Sequence, residues 1–188
     1  MPPLAVAWAY VLLAAMVVAA VVADLRSGKI PNAITLPAVA LGLVGHTLFG
    51  GLGGGGQMGL SDAAAGLAVG FLPMLAAALA GGVGMGDAKL MAAVGALGGW
   101  RFALATMFYG LVAALVLAVF VMIRRRLVQR TLGRVWRFLV LALAPRSGPV
   151  PTTADSPKVP LGLAFGLGAA AAMVEALATG GRGWFVGH

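Results

Sequence analysis

"LAVAWAYVLLAAMVVAAVVADLRSGKIPN", Leu4 to Asn32, decides the fold. Residues 4–23 carry no charge and are followed at once by Asp24, Arg26 and Lys29. A helix needs about 20 apolar residues to cross the hydrocarbon of a bilayer, and this run has that length. It has no basic leader and no small-residue cleavage site before the charged segment, so it reads as a retained helix rather than a signal peptide. The rest of the chain agrees. Of 188 residues, 61% are hydrophobic, against about half in a soluble domain, and mean hydropathy is +1.02. The net charge of +8 does not point to nucleic acid. The cations lie in short segments between apolar runs, where the cytoplasmic side of a bilayer accounts for them. With no cysteine, disulfides, thiolate catalysis and cysteine-based metal sites are excluded; no other metal-ligand or cofactor motif is present.

Further apolar runs lie at residues 33–49, 63–82, 88–99, 102–123 and 159–179. The reading is an all-α membrane protein, one transmembrane domain over residues 1–188, with about six transmembrane helices plus a basic interfacial amphipathic helix. The run at 88–99 is short for a crossing and needs local thinning or a start among the headgroups. Ser61 or Asp62 is the expected cap of the third span. With the N-terminus outside, only Arg101 and Arg182 of the 13 Lys and Arg residues fall outside; 13 less two leaves 11 inside. The positive-inside rule therefore selects N-out. The four tryptophans, Trp8, Trp100, Trp136 and Trp184, fall near span ends or in the interfacial helix, as anchors do.

Residues 124–158 form the basic segment and a proline-rich linker. At about 100° per residue, Arg126, Arg130, Arg134 and Arg137 share one face and Val128, Leu132, Val135 and Leu139 the other. Such a helix lies in the interface with its arginines toward anionic headgroups. Anchoring is its plain role; a docking arm for substrate is the sharper one.

In this topology Asp24 closes the first span and Asp87 opens the fourth, both on the same side of the membrane. Ionisable groups at membrane depth are costly and point to function. Two carboxylates held close share a proton; the ionised one can activate water while the protonated one polarises a carbonyl. The stretch "GGVGMGDAKL", Gly81 to Leu90, surrounds Asp87 with glycines. These give backbone freedom and let a peptide approach, and irregular backbone at membrane depth belongs beside a watery cavity. Spacing alone leaves plainer readings open: Asp87 as N-cap of a helix beginning at Ala88, and Asp24 paired with Arg26 or Lys29. A phosphate cradle does not fit, because Asp87 stands where those motifs require Lys or Gly.

"DLRSGKIPN" and "GMGDAKL" together resemble the type IV prepilin peptidases, the bacterial branch of the GxGD intramembrane aspartyl proteases. Gly84, Gly86, Asp87 and Lys89 match the family's Gly-x-Gly-Asp motif in place, and Asp24, Arg26, Ile30, Pro31 and Asn32 match its first-aspartate segment. The family's closing Pro/Gly segment is matched loosely by "KVPLGLAFGLGAA", Lys158 to Ala170. The resemblance implies an aspartyl endopeptidase of the bacterial inner membrane, with Asp24 and Asp87 catalytic and no cofactor. Its substrate would be a prepilin or pseudopilin, whose short basic leader is cut at the cytoplasmic face while its apolar helix stays in the bilayer. The cysteine-bearing cytoplasmic insertion of many members is absent here. The chain resembles the short members of tight-adherence (Flp-type) pilus systems, and the resemblance does not extend to methyltransferase activity.

Two other classes compete. A small transporter would place its ionisable residues near the midplane, whereas Asp24 and Asp87 sit at the inner boundary and Glu175 is alone. A pilus-assembly scaffold would use the glycine- and alanine-rich helices for packing alone. No His-Glu-x-x-His occurs; "GLSD", Gly59 to Asp62, and His46 read as a cap and an interfacial histidine rather than a serine-protease site. Oligomeric state is not encoded in any motif.

Overall fold

The computed structural model describes residues 4–53, 58–124 and 161–179. Among them there are five helices and no strands: α1 (Leu4–Ser27), α2 (Asn32–Gly50), α3 (Leu60–Leu79), α4 (Met85–Arg124) and α5 (Leu161–Ala178). All five are long and apolar enough to cross a membrane. The basic interfacial helix and its linker, apart from Arg124 at the end of α4, lie outside the described residues, as do Trp136, Arg182 and Trp184. The chain divides into two compact units, residues 1–114 with 160–188, and residues 115–159. The first unit holds every candidate site residue.

The described residues give five such helices where about six spans are expected, because residues 88–99 and 102–123 fall in one helical run. That run is broken at Gly99, whose φ of 79° and ψ of 176° are not helical. Such a φ favours glycine. The contacts on either side show what the break does. Asp87 lines a cavity with Asp24, at the end of α1. Phe102 packs edge-on against Tyr10, about 14 residues and so about 21 Å back along α1. Gly110 then meets Phe165, within a turn of Gly162, which touches Asp24. The limb before Gly99 therefore runs away from Asp24 and the limb after it runs back.

α1 packs against α2 and α5, and α2 against α3. The first limb of α4 is the hub: Ala88, Leu90, Met91, Ala93, Val94, Ala96 and Leu97 are all buried. Small residues let the neighbouring backbones close on it. A Cβ at Gly42 would lie 2.7 Å from the Ala96 carbonyl oxygen, and one at Gly70 would collide with the Met91 carbonyl. Large apolar side chains such as Val11, Leu41, Leu48 and Leu72 face outward. That inversion suits a lipid solvent, where packing rather than water exclusion joins helices.

At the far end His46 is buried in the bundle, its Nε2 2.9 Å from the Leu97 carbonyl. Trp8, near the start of α1, packs against the His46 ring at 5.1 Å and the Phe49 ring at 5.6 Å. The expected cap of α3 is corrected: it is Gly59, whose N–H donates to Asp62 Oδ2 at 3.4 Å from the first turn. Glu175 accepts a hydrogen bond from Tyr109 Oη at 2.9 Å.

Candidate active site

Asp24 sits in the last turn of α1. That helix ends because Gly28 adopts a φ of 62°, and the Gly28 N–H donates to the Asp24 carbonyl at 2.7 Å. Ser27 Oγ secures the end by donating to the Ala23 and Lys29 carbonyls. Pro31, with φ −67° and ψ 143°, then caps α2, so the chain turns within a few residues of the acid. The polar segment after the first apolar run is thus a tight corner that fixes Asp24 at its rim.

Asp87 lies in the first turn of α4, not at its cap, because the helix begins at Met85 rather than Ala88. Its N–H donates to the Gly84 carbonyl at 3.1 Å, and its side chain folds back so that a Cβ on Gly84 would stand 3.1 Å from Oδ2. The glycines of this stretch do different work from the general freedom expected of them. Of Gly81, Gly82, Gly84 and Gly86, only Gly81 has a positive φ, 79°. Gly84 leaves room for the carboxyl, and Gly86 lets the helix approach the corner: a Cβ there would be 3.3 Å from Ile30 Cβ. Ile30 is buried.

The two corners meet. Asp24, Gly28, Lys29, Ile30, Gly84, Met85, Gly86, Asp87 and Lys89 line one cavity of about 310 Å³, at the small end of ligand pockets and large enough for water and a peptide segment. Asp87 is 8% exposed; Asp24 is half-buried, with Oδ2 shut off and without a hydrogen-bond partner. The plainer reading of Asp24, a pairing with Arg26 or Lys29, leaves that oxygen unexplained. Lys89 Nζ donates to Asn32 Oδ1 at 2.9 Å, joining the second motif to the first. Arg26 is exposed on α1, and neither it nor Pro31 lines the cavity.

One neighbour of the site was not singled out from the sequence. Gly162, near the start of α5, packs directly on the Asp24 carboxyl. Its only sequence signal was its place in the loosely matched closing segment. Among the described residues no three His, Cys, Asp or Glu side chains gather as metal ligands would.

The model of the type IV leader peptidase family matches residues 11–119, more than half of the chain and both aspartate segments. The chain belongs to the type IV leader peptidase family. Neither the curated proteins nor the solved structures give a match. Membership of this family makes the chain a peptidase, and its apolar helices make it a multi-pass membrane protein. The match closes before α5, so Gly162 lies beyond it.

Proposed function

We propose that this leader peptidase is an aspartyl endopeptidase, with Asp24 and Asp87 as its catalytic pair, that removes the short basic leader from a prepilin-like or pseudopilin protein. The observation that carries this reading is the shared cavity: carboxylates from two separate motifs, 63 positions apart by number (87 less 24), line one pocket at one end of the bundle. One carboxylate takes a proton from a water held between them, and that water attacks the scissile carbonyl. The other, protonated, donates to the carbonyl oxygen as charge develops there. Collapse of the tetrahedral intermediate with proton transfer to the leaving amine completes hydrolysis without a covalent enzyme intermediate.

The substrate's apolar helix would lie in the bilayer against the outward aliphatic side chains and bring its leader junction to the cavity. Arg26, Lys29 and Lys89 gather at the same end as the two acids, whereas Arg101 follows the Gly99 break at the other end. This supports a cytoplasmic active site with the N-terminus outside, in the inner membrane, beside anionic headgroups. The direct passage from the first apolar run to Asp24, with no cysteine-bearing insertion between them, fits a tight-adherence pilus system.

The test is leader processing in membranes with full-length protein. Asp24→Asn and Asp87→Asn should each abolish cleavage while the protein remains inserted and folded. Full processing by either variant overturns the assignment in favour of an assembly scaffold.

A further inference from the structure

Asp24 has an unusual neighbour. A Cβ built at Gly162 would lie 2.5 Å from Asp24 Oδ2, 2.8 Å from its Cγ and 3.0 Å from its Cβ. The acid group is therefore laid flat against a backbone position that has no side chain. Gly162 is itself buried. Asp24 Oδ2 is buried too and accepts no hydrogen bond. A carboxyl turns easily about its last torsion, whose wells are broad. Where no donor fixes it, contact must.

We propose that Gly162 is a positioning residue: the first turn of α5 is the wall that sets the direction of the Asp24 carboxyl toward the cavity it shares with Asp87. The consequence for cleavage rests on the function proposed above; the contact itself does not. The wall lies outside the matched family region, so this part of the site is supplied by α5. Alanine at position 162 must push the carboxyl aside, because the atoms it would meet belong to Asp24 from Cβ outward. A displacement of about 1 Å at a reacting group costs about 100-fold in rate.

The fold contains its own control. Gly166 lies one turn further along α5, and a Cβ there collides with the side chain of Val21, also on α1. Gly166→Ala therefore disturbs the same helix pair without touching the acid. In a cleavage assay with full-length protein in proteoliposomes, Gly162→Ala should lower kcat by about 100-fold with KM within about twofold. Gly166→Ala should keep kcat within about threefold. Equal losses in both variants, or an unchanged kcat in Gly162→Ala, overturn the proposal.

A second measurement needs neither activity nor the alanine variant. The chain has no cysteine, so an engineered pair is read without background. Asp24→Cys combined with Gly162→Cys should form a disulfide on mild oxidation in membranes, since the Cβ atoms lie 3.0 Å apart and need open by only about 0.5 Å to reach disulfide spacing. Asp24→Cys with Gly166→Cys should not. If wild-type protein cleaves no leader, the proposed function fails, while a 24–162 cross-link still upholds the wall. Absence of that cross-link overturns the wall whatever the enzyme does.

Discussion

The two ends of the first limb of α4 solve opposite problems. At the far end, His46 is buried and satisfied. Its Nε2 meets the Leu97 carbonyl, two residues before Gly99, where the helical ladder is interrupted. The ring is packed against Trp8. At the near end, Asp87 is buried and borders a cavity, and the Oδ2 of Asp24 is buried with no partner. A polar group that holds a fold together is satisfied by it, because an unmet one costs about 1–3 kcal/mol. A polar group kept for chemistry has to leave capacity for water and substrate. At the far end His46 meets the first condition, although Trp8 Nε1 beside it is buried without a partner; at the near end the two acids meet the second.

The largest effect expected from this contrast is on cleavage at the near end. Loss of either acid removes general acid–base chemistry and should slow the reaction by at least about 10³-fold. The same Asp24→Asn and Asp87→Asn variants should unfold at the same temperature as wild type, or higher, since a strained or unsatisfied site trades stability for activity. Thermal unfolding in detergent, followed alongside leader processing, checks both halves. A marked drop in midpoint for either variant would make the acid a structural group like His46 and erase the contrast.

At the far end the signs reverse. His46→Leu fills the space but leaves the Leu97 carbonyl without its partner, which should cost about 1–3 kcal/mol. Cleavage measured well below the unfolding midpoint should be unchanged. A variant that stays stable but cleaves slowly would mean that the far end communicates with the cavity, and that the limb of α4 between them is more than a spacer.

How much of this was legible in the sequence depends on the range of the interactions. Apolar length is a local property, so the helices at 4–27, 32–50 and 161–178 could be read within a few residues. Asp24 and Asp87 could be read as well, because each sits in a short segment of unusual composition. The start of α4 could not. Gly84 and Gly86 are poor helix formers, which argues for a start at Ala88, but Gly86 lies inside the helix, where it leaves room for Ile30. The break between the runs 88–99 and 102–123 does fall at Gly99, but its shortness was hidden. A single residue with non-helical torsions ends one limb and starts the other, leaving no polar loop to mark the turn. The partner of His46 could not be read, because the carbonyl it meets is 51 positions away. Gly162 was invisible as a site residue because a glycine carries no chemistry of its own. Its meaning is the side chain it touches.

The smallest effect concerns the bond between the motifs. Lys89 Nζ donates to Asn32 Oδ1 at 2.9 Å on an exposed surface, one turn of α4 from the Gly86–Ile30 contact. An exposed hydrogen bond of this kind contributes about 0.5–1.5 kcal/mol. Its value to the site is that it joins the corner after Asp24 to the helix bearing Asp87. Lys89→Met and Asn32→Leu should each slow cleavage by less than about tenfold, the rate equivalent of about 1.4 kcal/mol. The double variant should be no slower than the worse single one, because both remove the same link. Asn32→Asp retains an acceptor for Lys89 and should cleave like wild type. If the two single losses multiply instead, Lys89 and Asn32 act independently, and their hydrogen bond is not what links the two corners.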